Sequence, residues 1–122
     1  MRIGLLSAPS NLGLRPPAPT SVPGCAKAPE ALREAGLHRR LAEFGAEERG
    51  AVLPGRYADD ATPGSLRNHV AIVEHARRLG ERIDLLRADG LAPLVLGGVC
   101  SILVAAGLSL RRAPGRYGLV PP

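Results

Sequence analysis

The residues best equipped for chemistry sit in the run Gly97-Gly98-Val99-Cys100-Ser101. It joins the apolar stretch Leu91–Leu96 to a second apolar stretch, Cys100–Leu110, and so has the form of a strand-to-helix turn. Paired glycines let a backbone turn sharply and come close to a ligand, and the N–H groups opening a helix favour an anion. Close packing of strand against helix asks for the same glycines. Gly97, Gly98 and Ser101 are therefore candidate site residues, with Cys100 between them as the group of strongest intrinsic reactivity. A thiol nucleophile needs a neighbouring base. No motif places one beside Cys100, and the simpler expectation is a buried, inert thiol.

The other titratable candidates are scattered. His69 and His75 lie six residues apart on a predicted helix, which puts them on different faces without metal-ligand spacing. Surface positions are expected for both, and for His38 in its arginine-rich stretch. Asp59-Asp60 form a carboxylate pair beside Ala61-Thr62-Pro63, where turn and capping roles are the common use. Cys25 reads as a loop cysteine. A phosphate-binding role for the glycine turn lacks both the P-loop lysine and a GxGxxG pattern.

These residues need elements to hold them. Residues 2–7 read as a short buried strand. The loop after it carries Pro9, Pro16, Pro17, Pro19, Pro23, Gly13 and Gly24, a density that forbids helix and strand alike. A long loop at the carboxyl end of a strand is where open α/β sheets place their sites. Pro29 suits a first helical turn, with Ala31, Leu32 and Ala35 as an apolar face. Gly36 interrupts, and Leu37, Leu41 and Phe44 continue in a second helical piece. Ala51-Val52-Leu53 is a candidate strand. Leu66, Val70, Val73, Ala76, Leu79, Ile83 and Leu86 recur at steps of three and four, predicting one long helix with a buried stripe, capped by Thr62 or Ser65. Leu91–Leu96 is the next strand, Cys100–Leu110 a helix, and Arg116–Val120 a further strand. This alternation predicts a single α/β domain over residues 1–122, three-layered α-β-α, with a mostly parallel sheet.

Composition narrows the function classes. The formal charge is +5 and aromatic residues make up 2% of the chain. Lys27 is the only lysine, and the arginines are interspersed with acids along the predicted helices, the pattern of solvated faces. With no interleaved aromatics and no zinc knuckle, nucleic acid is not the expected partner. No apolar run reaches membrane-spanning length unbroken by glycine, and no secretory leader is evident. A cytoplasmic location with both thiols reduced is expected.

One resemblance is specific. Leu94-Val-Leu-Gly-Gly-Val-Cys-Ser101 is similar to the Gly-Gly-Asp-His-Ser motif of the arginase/agmatinase (ureohydrolase) family. The opening strand, the loop Gly13-Leu-Arg-Pro-Pro17, the helix start Gly24-x-x-x-Ala-Pro-Glu-Ala-Leu-Arg33, the long helix and Gly115-Arg-Tyr-Gly-Leu-Val120 follow in the family's order. The resemblance implies a partial arginase-like fold and the N-terminal portion of such a protein. It implies manganese as the family's cofactor and hydrolysis of guanidino or amidine C–N bonds as its chemistry. Cys100 then stands at the first metal-ligand position, as in some bacterial branches, and Val99 replaces the neighbouring acid. The family's Asp-x-His-x-Asp motif, expected after the fourth strand, has no counterpart before Pro121-Pro122. The resemblance thus predicts a truncated or degenerate chain, inactive alone and binding no metal alone. As alternatives it is one half of a split enzyme completed by another polypeptide, or a non-catalytic module that forms homo-oligomers through an exposed sheet edge.

Overall fold

The computed structural model describes residues 1–21 and 23–118. Three strands form one parallel sheet: β1 (Arg2–Ala8), β2 (Glu47–Ala51) and β3 (Leu91–Gly97), in the order β2-β1-β3. Four α-helices accompany them: α1 (Ala28–Glu34), α2 (Leu37–Glu43), α3 (His69–Ala88) and α4 (Leu103–Arg112). Short 3-10 helices, Gly24–Lys27 and Cys100–Ile102, lead into α1 and α4. The chain steps from β1 to β2, then back across β1 to β3. Right-handed crossovers in opposite directions place their helices on opposite faces, which makes the arrangement doubly wound with a switch point between β1 and β3. The α/β class and parallel sheet expected from the sequence are present.

β1 is central because both its faces are apolar or small: Gly4 through Ala8 are all buried. Leu6 and Ala8 enter the main core with Ala76, Leu79, Ile83 and Leu86 of α3, Leu91 of β3 and Ala105 of α4. On α4, Ser109 donates to Asp84 of α3 at 2.5 Å, and the Arg112 guanidinium meets the same carboxylate at 2.8 Å. That carboxylate ties the two helices across their polar rim.

Several expectations shift. The second strand lies at Glu47–Ala51, before the apolar run Ala51–Leu53. Its side chains are exposed or half-buried, so no hydrophobic period marks it. Gly50, at φ +85°, accommodates the irregularity where the pairing with β1 skips a residue. The long helix begins at His69. Thr62 and Ser65 close a turn on each other instead, with Thr62 N–H donating to Ser65 Oγ at 2.9 Å. The buried stripe of α3 centres on His75, Ala76, Leu79, Gly80, Ile83 and Leu86. Leu66, Val70 and Val73 fall off it and are exposed. Leu32 and Phe44 are exposed as well, so the predicted apolar faces of the first helices stay largely uncovered. Arg116–Gly118 have no regular structure, and Leu119 and Val120, the rest of the predicted fourth strand, lie outside the described residues. Among the described residues no helix is long and apolar enough to cross a membrane.

Candidate functional site

Parallel strands bring three loops to one edge of the sheet, at the carboxyl ends of β1, β2 and β3. The first and third are bound together by main chain. Beyond the last β1–β3 pair, Gly98 N–H donates to Ala8 O at 3.2 Å and Val99 N–H to Ser10 O at 3.1 Å. A Cβ at Gly98 would overlap the Ser10 carbonyl oxygen, and one at Gly97 would meet the Ile102 side-chain tip. The double glycine therefore serves a backbone-to-backbone approach, with Ser10 fully buried beneath it.

The second loop is joined by Asn68. This buried residue, in the left-handed region at φ 53°, precedes α3. Its amide nitrogen donates to Leu12 O at 2.9 Å, and its side-chain oxygen accepts from Ala58 N–H at 2.7 Å. Its own N–H donates to Asp60 at 2.7 Å. One side chain thus fastens the β1 loop, the β2 loop and the start of α3. Asp60 has the capping-type role read for the acidic pair, whereas Asp59 faces Arg67 and Arg15.

The titratable candidates are not gathered there. Cys100 is exposed at the start of its 3-10 helix, contrary to the expected buried thiol; the turn it sits on points its segment outward once Gly98 and Val99 have docked on the β1 loop. Cys25 lies half-buried in the 3-10 helix before α1. His69 is exposed as expected, but His75 is buried on the core side of α3. Its Nε2 lies 2.9 Å from Val52 O and donates to it, and burial pushes its pKa below the usual value. His38 is also buried, because α2 turns it toward the protein, and among the described residues neither ring nitrogen has a partner. The periodicity around His75 could have revealed its position, since Leu79 and Leu86 of the buried stripe follow it by four and eleven residues.

Manganese prefers hard oxygen and imidazole donors. Among the described residues no group of three or more His, Cys, Asp or Glu side chains is placed to hold a metal ion. At the turn itself the donors are the Cys100 thiol and the Ser101 hydroxyl, and Val99 offers none. These residues do not fit a manganese centre.

No protein-family model and no curated protein matches the chain. Solved structures do. Over 89% of this chain and 36% of the other, arginase from Bacillus caldovelox superposes with a TM-score of 0.73 at 28% identity. Arginase from Bacillus cereus matches over 91% and 35% of the two chains, with a TM-score of 0.69 at 25% identity. For a Bacillus subtilis arginase the coverage is 89% and 33%, the TM-score 0.69 and the identity 22%. The class is thus a doubly wound parallel α/β protein. Within that class the chain has an arginase-like fold, as its motifs implied, and spans about a third of the length of those arginases.

Proposed function

We propose that this chain forms one wall of a ureohydrolase-like architecture and does not by itself hydrolyse guanidino or amidine C–N bonds. The observation that carries the reading is the turn Gly97–Ser101. It occupies the carboxyl end of β3 in an arginase-like sheet, yet it offers a thiol and a hydroxyl in place of carboxylate and imidazole. Hydrolysis of this kind needs a water held and acidified by well-ligated metal. In this reading Cys100 marks a degenerate ligand position, and manganese would require donors from further polypeptide. A sensitive assay of urea release with manganese, over arginine, agmatine and simpler guanidines, tests it. No turnover is expected from the purified chain, and clear metal-dependent turnover would overturn the proposal.

A second reading is favoured by a separate observation. β3 is a seven-residue strand without a charged side chain, and among the described residues nothing pairs its outer edge. Open apolar edges recruit strands. A complementing polypeptide or a second copy of the chain would then dock there. Light scattering at rising concentration is expected to show association. A monodisperse monomer throughout would count against self-assembly.

A further inference from the structure

Between the proline loop and the loop after β2 lies a cleft of about 420 Å³ that the arginase-like reading does not use. Arg15, Pro16, Pro17 and Pro19 line it from the first loop, and Tyr57 and Asp59 from the second. We propose that this cleft binds a small carboxylate with an apolar, ring-sized body.

The volume falls within the range of small-molecule sites. Proline rings are rigid and present apolar surface without a backbone N–H, and the Tyr57 ring adds flat apolar surface to the lining. The polar end is set by unequal pairing of charges. Asp59 is shared between two guanidiniums: Arg67 holds it closely, while Arg15 reaches it only at 3.5 Å. The Arg15 side chain keeps 73% of its surface exposed. Arg15 and Asp59 are the charged residues of the lining; Arg67, outside it, pairs closely with Asp59 and leaves Arg15 as the loosely held charge at the cleft. Arg67 also donates to the Tyr57 hydroxyl oxygen at 3.1 Å, so the phenol's own proton is directed elsewhere. Arg15 and Tyr57 together supply donors suited to a carboxylate, whose charge-assisted hydrogen bonds are the strong kind.

The test is an amide NMR titration of the full chain with benzoate, benzamidine and inorganic phosphate. Benzoate is expected to give saturable shifts confined to the proline loop and to Tyr57–Asp59. Benzamidine, the same ring with a positive head, should give none, and phosphate, which lacks the apolar body, should bind at least about tenfold more weakly. Arg15→Ala, at an exposed position that leaves folding intact, should weaken benzoate about tenfold or more. Asp59→Asn, which releases both guanidiniums, should strengthen it, an effect in the direction opposite to structural damage. The proposal is overturned if benzoate causes no local shifts at millimolar concentration. Equal binding by Arg15→Ala, equal binding of phosphate, or preference for benzamidine would overturn it too.

Discussion

β2 and β3 flank β1 and run parallel to it, yet they are made differently. β2 carries Glu47, Glu48 and Arg49, and each is drawn into an ion pair: Arg2 with Glu47 at 2.6 Å, Arg33 with Glu48, and Arg49 with Asp89. Two carbonyls of that region, Arg49 and Leu53, accept from Arg82 and Arg78 at 2.5 and 3.1 Å. β3 has no charge, and all seven of its residues pair with β1 in unbroken register. A charged, bulged strand resists further pairing, whereas a regular apolar one invites it. The sheet therefore has a finished side and an open side, and the Gly97–Ser101 turn belongs to the open one.

The sharpest way to break this contrast is to place the same substitution on each side. Gly98→Ala should be the most damaging change, because its Cβ would overlap the Ser10 carbonyl and neither backbone can retreat. A loss of at least about 4 kcal/mol in denaturant unfolding is expected, at the severe end of overpacking. Next comes the fastener of the loops: Asn68→Ala abandons the Leu12 carbonyl and the Ala58 N–H, for about 2 kcal/mol. A loss below about 0.5 kcal/mol would show that the loops hold without it.

The finished side should respond to pH through His75, which joins α3 to the end of β2. Its folded pKa is depressed by burial, so the unfolded chain binds the proton more readily. Stability should hold above the usual histidine value of about 6.5 and fall as pH drops below it. Melting temperatures of the chain and of His75→Gln between pH 8 and 5 check this, and the variant should lack the histidine-linked step. On the same side Gly50→Ala should cost only about 1 kcal/mol, since strain in φ is its main penalty and a Cβ there would meet only the Arg82 guanidinium, at an ordinary contact distance of 3.9 Å. Parity with Gly98→Ala would erase the distinction between the edges. The smallest effect belongs to Glu48→Gln. Its hydrogen bond to Arg33 holds the carboxyl below its usual range, but the pair is exposed and screened, so the melting temperature should barely move.

Much of the fold was legible because its signals are local. β1 and β3 are apolar runs of strand length, Gly97-Gly98 punctuates a strand-to-helix turn, and α3 repeats apolar residues at helical steps. β2 escaped because an edge strand in solvent needs no hydrophobic alternation, and the nearby Ala51–Leu53 drew the assignment instead. The capping residues misled for a related reason: Thr62 and Ser65 have the right chemistry for a helix start but satisfy each other. The site was less legible still. Ligand-type residues can be counted in a sequence, while their convergence depends on which loops the sheet brings together.

The sequence alone determined the order of the main elements and the arginase-like motifs. Those follow from residue type and near-neighbour spacing. Tertiary structure decided that His38 and His75 are buried while Cys100 is exposed, and that Gly98 is demanded by the Ser10 backbone. It also placed Arg15 and the prolines opposite Tyr57 and Asp59. Burial and long-range contact are set by packing between segments distant in the chain, which no local pattern encodes.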